Sequence, residues 1–154
     1  MDDTYELELR TVDFEHADSV MLRAAQSAEL TARYNTEDNE PGVKPNSDTV
    51  ALFLVAYADG VPAGCGGLRR MPDGSFEIKR MYVAPARRGT GISVAVLKGL
   101  EDWAREQSSP QLLLETGTAQ PDAMRFYERE GYARINNFGD YVGESLSVCY
   151  AKAL

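Results

Sequence analysis

Hydrophobic and polar positions along the chain follow two periods, and the changes between them predict an order of strands and helices. Residues 5–11 alternate polar and apolar side chains, as a half-buried strand does, and a helical pattern follows from about Phe14 to Tyr34. Further strand-like runs, joined by turns that contain glycine, lie at 51–58, 61–69 and 76–83. The first half therefore predicts a strand, a helix and three strands that return on one another.

The second half begins with a clear helical pattern. Apolar residues recur at intervals of four, four and three, which predicts one buried face on a helix from Ile92 to about Gln107. The remaining elements are a buried strand, a helix begun by proline and two terminal strands, predicted at 112–114, 121–130, near 133 and 146–153. Together the elements predict an α/β fold with a mixed sheet whose front half is antiparallel.

Two stretches interrupt these patterns. Residues 35–49, with glycine, two prolines and several acidic and amide side chains, predict an irregular loop that is either a lid or a plain connection. Gly64, Gly66 and Gly67 lie inside a predicted strand, where they indicate a bulge or a close backbone neighbour.

Composition places the chain among globular proteins. The 154 residues fit one domain, residues 1–154, and 44% are hydrophobic and 26% charged. The apolar runs are too short to span a bilayer and the start lacks the basic residues of a signal peptide, so we expect a cytoplasmic protein without a membrane partner. Cys65, Cys149 and the single histidine, His16, have no neighbours at metal-ligand spacing, so we expect no metal.

Charge is distributed unevenly. The formal net charge is −8, which argues against general nucleic-acid binding, yet residues 76–98 hold five basic side chains against Glu77 alone, a local balance of +4. This pattern favours one anionic ligand.

The segment between the strand at 76–83 and the following helix has the features of a phosphate site. Gly89 and Gly91 remove side chains from the loop, so backbone N–H groups can converge where the helix presents its unpaired donors. Arg87 and Arg88 add positive charge. The segment lacks the Gly-Lys-Ser/Thr of a Walker A loop, and Val94 stands where a dinucleotide fingerprint needs its third glycine.

Two motifs resemble the GNAT family of N-acetyltransferases. The first places Arg88, Gly91 and Ser93 at the positions of the family's pyrophosphate loop, after strand positions Met81 and Val83. The second reads Gln120, Ala123, Tyr127 and Gly131-Tyr132, with Gln120 where the family has asparagine. The resemblance covers the chain from about residue 5 to its end, and it implies a GNAT-like acyl-CoA N-acyltransferase fold with about seven strands and about four helices.

The resemblance also implies a cosubstrate, acetyl-CoA, and a set of residues that bind it. These residues are Met81, Tyr82, Val83, Arg88, Gly89, Thr90, Gly91, Ile92, Ser93, Gln120 and Phe126. The implied reaction is direct attack by a primary amine, of a small molecule or a protein, in a ternary complex. A homodimer is common in the family.

Acetyl transfer needs a polarised thioester carbonyl, an acid and a base, and each need has a candidate in the chain. Backbone N–H groups near Met81 can stabilise the developing oxyanion, and the resemblance implies that the hydroxyl of Tyr127 protonates the leaving thiolate. Glu77, six residues before Val83 on one strand, is expected on the same face and is the first candidate base, although an ion pair with a neighbouring lysine or arginine explains it equally well. Glu115 is the alternative base.

The acceptor is less well specified. Arg33 and Tyr34, with Glu115 and Thr116, are expected to border its pocket. Net acidity weakly favours a cationic amine, whereas an arginine at the pocket mouth favours one that bears a carboxylate. Three alternatives remain. The protein is a sensor that keeps the fold and only binds acyl-CoA, the donor is a longer acyl thioester, or the acceptor atom is not nitrogen.

Overall fold

The described chain forms one seven-stranded sheet with helices on both faces. The computed structural model describes residues 5–35 and 44–154, so residues 36–43 of the predicted loop lie outside the described residues. The strands are β1 Leu7–Thr11, β2 Val50–Ala58, β3 Val61–Arg70, β4 Phe76–Val83, β5 Gln111–Gly117, β6 Ala133–Ile135 and β7 Ser147–Ala153. The helices are α1 Ala17–Tyr34, α2 Ile92–Glu106 and α3 Pro121–Arg129. The described residues thus hold three α-helices, the number that the hydrophobic periodicity predicts, whereas the family resemblance implied about four.

The sheet order is β1-β2-β3-β4-β5-β7-β6, and every pairing except that of β4 with β5 is antiparallel. The parallel pair is joined through α2, because parallel neighbours need a crossover rather than a tight turn. The predicted mixed sheet with an antiparallel front half is therefore confirmed.

The two sheet faces have separate cores, which the alternation along β2 makes visible. Leu52 and Leu54 contribute to the core beneath α2 and α3, whereas Phe53 and Val55 contribute to the core that contains Leu22 of α1. Side chains of a strand point alternately to its two faces, so the nearly continuous apolar run of β2 supplies both cores.

Glycines in β3 let α2 approach the sheet closely. A Cβ atom added to Gly66 would lie 2.9 Å from Val96 and one added to Gly64 would lie 2.7 Å from Ile92, both closer than real Cβ contacts. The register also shifts between Cys65 and Gly67. The glycines thus have close neighbours, which in these two cases are side chains of α2 rather than backbone, and the extra residue of this register shift lies on β4 rather than among the glycines.

A bulge in β4 opens the sheet beside β5. Arg80 has a φ of +62°, and the register shift opposite it places one extra residue on β4. Ile78 and Met81 consequently both face the α2 side. β4 pairs with β5 only over Phe76–Ile78, so the two strands separate beyond the bulge and leave a gap between them.

The same bulge corrects one sequence-based prediction. Glu77 and Val83 do not share a face, because the extra residue reverses the alternation between them. In the described ranges, none of the helices is both long and apolar enough to cross a membrane.

Candidate active site

Two adjoining cavities occupy the gap between β4 and β5. The larger encloses about 360 Å³ and reaches from α1 and β4 to the first turn of α2 and one face of α3. The smaller encloses about 120 Å³ and lies toward the C-terminal end of β5. Both cavities are lined by one shared set of residues, Gln26, Leu30, Met81, Gln120, Ala123 and Tyr127. A ligand in one cavity therefore meets a ligand in the other at this shared wall.

The loop before α2 is shaped for an anion. Gly89 and Gly91 have φ values of +79° and +90°, and a Cβ atom on either would meet nothing within 4 Å. The backbone conformation, rather than lack of space, thus calls for glycine at both positions. Gly91 caps α2 without a side-chain hydrogen bond, which leaves the first-turn N–H groups and the positive end of the helix dipole to a ligand.

Arg88 lies beside this loop and is held in place from two sides. Its Nε donates to the Val83 carbonyl at 3.0 Å and its Nη2 donates to Glu29 of α1 at 2.6 Å. The hydrogen bond from Arg88 to Glu29 raises the arginine's pKa, so the guanidinium stays charged. Its side chain is 45% exposed and lines the larger cavity, where it can turn toward a phosphate.

Backbone groups of β4 face the gap beyond the bulge. The Met81 carbonyl accepts a 2.9 Å hydrogen bond from Gln26, and the Val83 carbonyl accepts the bond from Arg88. Ala84, the next residue, instead donates to Ala63 of β3 at 2.8 Å. Because the N–H and C=O of one strand residue point to the same side, we expect the N–H groups of Met81 and Val83 to point away from β3 as well, toward the gap.

Tyr127 of α3 forms part of the wall between the two cavities. It is 6% exposed and makes edge contacts with the rings of Phe126 at 5.1 Å and Tyr132 at 5.6 Å between centroids. Burial raises the pKa of its phenol, because the charged form loses hydration. The hydroxyl is therefore protonated at neutral pH, the state that a proton donor requires.

Glu77 occupies a different environment from the one predicted for a base. It is fully buried, and its carboxylate accepts bonds from Arg69 at 2.7 Å and from the Tyr141 hydroxyl at 2.6 Å. Lys79 Nζ lies 3.9 Å from the same carboxylate. Glu77 lines neither of the two cavities. Arg69 and Tyr141, which no sequence motif singled out, are its closest partners.

The predicted acceptor residues divide between the cavities. Tyr34, Glu115 and Thr116 line the smaller one, together with Lys79 and Arg80. The Tyr34 hydroxyl accepts a bond from Gln120 at 3.3 Å, and Glu115 accepts one from Ser147 at 2.7 Å. Arg33 instead lines the larger cavity, where it lies 3.6 Å from Glu29.

Most predicted cofactor residues come together around the larger cavity. Its lining includes Met81, Tyr82, Val83, Arg88, Ser93, Gln120 and Phe126. Gly89, Thr90 and Gly91 form the exposed loop at its end, and the Ile92 side chain is buried in the core beneath α2. Thr90 is tied to Tyr5, whose hydroxyl donates to its carbonyl at 2.6 Å.

Sequence analysis found only the C-terminal end of α1, Arg33 and Tyr34, and missed the rest of its contribution. Gln26, Glu29, Leu30 and Arg33 all line the larger cavity, and their spacing of three, one and three places them on one helix face. That spacing was present in the sequence, but the face mixes polar and apolar residues, so hydrophobic periodicity did not separate it from a solvated surface.

The site combines a parallel strand pair that separates, a glycine loop at the start of a helix and a tyrosine between two cavities. This arrangement suits a transferase whose cosubstrate carries phosphate groups. The sequence model of the acetyltransferase (GNAT) family matches residues 17–132. The chain therefore belongs to the GNAT family, and it is an acyltransferase of the acetyl-CoA-dependent class.

Similar proteins agree with this assignment. An IAA acetyltransferase of Azospirillum brasilense is 39% identical over 103 residues, which cover 66% of this chain and 67% of that protein. A crystal structure from Klebsiella pneumoniae, assigned as an acyl-CoA N-acyltransferase, has a TM-score of 0.82 and 30% identity over 99% of both chains. A Bacillus anthracis structure assigned as a streptothricin acetyltransferase, in complex with acetyl coenzyme A, shares the fold with a TM-score of 0.62 and 21% identity, covering 75% of this chain and 70% of that one.

Proposed function

We propose that the protein transfers an acetyl group from acetyl-CoA to a primary amine, by direct attack while both substrates are bound. The observation that carries this proposal is the position of Tyr127 in the wall shared by two cavities of unequal size. The larger cavity ends at the phosphate-type loop and suits the coenzyme. The smaller one, lined by charged and hydroxyl side chains, suits the acceptor.

The donor half of the reaction uses backbone groups. The loop Arg88 to Ser93 holds the pyrophosphate with its N–H groups and the start of α2, while Arg88 supplies charge. The N–H of Met81 faces the gap and stabilises the oxygen of the thioester as negative charge develops there. This support is fixed by the β4 bulge, so it needs no rearrangement during the reaction.

The leaving thiolate takes its proton from Tyr127. A buried phenol is neutral at physiological pH, and protonating the thiolate of free CoA makes the leaving group more stable. The bond from the acetyl carbon to sulfur breaks as the bond to the amine nitrogen forms.

The proton lost by the amine goes to Glu115 rather than Glu77 in this proposal. Glu115 lines the acceptor cavity, whereas Glu77 lines neither cavity and already accepts bonds from Arg69 and Tyr141. We infer that Glu77 stabilises the sheet beside the site. Glu115 receives the proton directly or through a water molecule. After the products leave, Glu115 loses this proton to solvent and Tyr127 takes one up, so both residues return to their starting states.

The charges of the smaller cavity describe the acceptor only in general terms. Lys79, which also pairs with Glu77, and Arg80 place positive charge in its lining and Glu115 places negative charge there, so an amine that also carries an anionic group is the first choice. The class includes free amino acids and peptides.

Free thiol released from acetyl-CoA tests the proposal. Purified protein is mixed with acetyl-CoA and one amine at a time, with L-lysine, glycylglycine, spermidine and kanamycin as the panel. We expect at least one amine, first the zwitterions, to accelerate thiol release, with the acetylated amine identified by mass. Tight acetyl-CoA binding without release for any amine or for longer acyl thioesters would instead indicate a non-catalytic sensor.

A further inference from the structure

Gln26 carries a buried oxygen that has no hydrogen-bond partner among the described residues. Gln26 lies in the middle of α1, where its Nε2 donates to the Met81 carbonyl at 2.9 Å. Its Oε1 is buried and accepts no hydrogen bond. Buried amide oxygens in native proteins are nearly always paired, so this atom points to a partner that binds from outside the chain.

The orientation of the Gln26 amide is set by its neighbour. Exchanging the oxygen and nitrogen of the amide would place Oε1 against the Met81 carbonyl, two acceptors facing each other, so the assignment shown is the favourable one. The bond to Met81 also anchors the side chain. Oε1 is therefore held at a fixed place beside Met81.

That place is the junction of the two cavities. Gln26 lines both of them, as do Met81 and Tyr127. A thioester brings only acceptor atoms to this junction, a carbonyl oxygen and a sulfur, and neither can donate to Oε1. An attacking amine brings N–H groups to the same point.

We propose that Gln26 binds the acceptor by accepting a hydrogen bond from the N–H of its attacking amine. This inference rests on the proposed acetyl transfer. The bond aligns the nitrogen with the acetyl carbon and satisfies a buried oxygen that has no partner within residues 5–35 and 44–154. The amide N–H of the coenzyme's pantetheine arm is the competing donor, and the experiment separates the two.

The test compares Gln26→Leu, and Gln26→Met as a second apolar variant, with the unaltered protein. Amine concentration is varied at saturating acetyl-CoA, with whichever panel amine gives the fastest thiol release, and calorimetry gives the Kd of CoA. We expect the amine KM to rise about tenfold in both variants, while the Kd of CoA stays within about twofold. Ser27→Ala, one position along α1 and exposed, controls for general damage to the helix.

Three results would overturn the inference. A rise in the Kd of CoA as large as the rise in amine KM would place Oε1 against the pantetheine arm. No change in either constant would show that water satisfies the atom. If the unaltered protein binds acetyl-CoA but releases no thiol with any amine, the proposed function itself fails and this inference fails with it, a result that the variants cannot produce.

Discussion

The donor and acceptor sides of the site are built from different materials. The donor side relies on backbone N–H groups of β4 and of the glycine loop, which belong to one contiguous segment, while side chains of α1 and α3 complete the lining of its cavity. The acceptor side consists of side chains from α1, β4, β5, α3 and the residue just before α3. A backbone site depends on chain conformation that a short motif specifies, whereas a side-chain site depends on how distant elements pack.

The largest effect that this comparison predicts concerns Glu77, which lies outside both sides. Glu77→Gln leaves Arg69 and Lys79 without their buried counter-charge, so we expect the free energy of unfolding to fall by about 3 kcal/mol. Urea unfolding measures this. Glu8→Gln is the matched control, because Glu8 pairs with Arg10 at the same 2.7 Å but both side chains are about half exposed, and we expect little change there.

The Glu77→Gln variant, compared with Glu115→Gln, also tests which of the two carboxylates is the base. Glu77→Gln protein that is folded at the assay temperature should keep the pH–rate profile of the unaltered protein, whereas Glu115→Gln should lose the limb at which the rate rises with pH. A normal limb in Glu115→Gln together with a missing one in Glu77→Gln would reverse our assignment.

Tyr127→Phe should give the next largest effect, because it removes only the hydroxyl at the wall between the two sides. We expect kcat to fall about 100-fold, with the Kd of CoA nearly unchanged. Since burial raises the phenol pKa, the unaltered rate should not decline as pH rises through the range where a free tyrosine ionises. Thiol release against pH measures both. Tyr57→Phe, a tyrosine in the core on the α1 side, should leave kcat unchanged.

The materials of the two sides also explain what the sequence could predict. Glycines 89 and 91 at the start of α2 are local features, so the loop could be found without a structure, and Tyr127 could be named as candidate acid because it belongs to a short family motif. The left-handed Arg80 could not, because a non-glycine residue with positive φ leaves no signal in the sequence. Counting alternate positions through that bulge placed Glu77 on the wrong face.

Distance along the chain limited the prediction of side-chain contacts in the same way. Arg69 is eight residues from Glu77, but Tyr141 is 64 residues away. Tyr141 contacts Glu77 in a sheet whose order places β7 between β5 and β6. Gln26 and Met81, 55 residues apart, meet only because α1 packs across the β4 gap. Such contacts depend on tertiary packing rather than on local pattern.

Gly91→Ala tests the donor side at its backbone. Alanine is strained at a φ of +90°, so the loop should either shift or keep its conformation at a cost of about 1 kcal/mol. We therefore expect the Kd of CoA to rise roughly fivefold to tenfold. Calorimetry with CoA measures this. Gly60→Ala is a matched control, because Gly60 has a φ of +81° and equally open space but lies in the β2–β3 turn, so it should lower stability without changing the Kd.

The smallest predicted effect concerns an ion pair within the donor side. Glu29 of α1 holds Arg88 in an ion pair whose side chains are 31% and 45% exposed, so the pair contributes at most about 1 kcal/mol. Glu29→Gln releases Arg88 toward the coenzyme phosphates and removes a nearby negative charge. We therefore expect the Kd of CoA to fall about threefold at low salt, with the gain shrinking as salt is added. Calorimetry at two ionic strengths measures it, and weaker binding in the variant would mean that Glu29 positions Arg88 for the phosphate instead of competing with it.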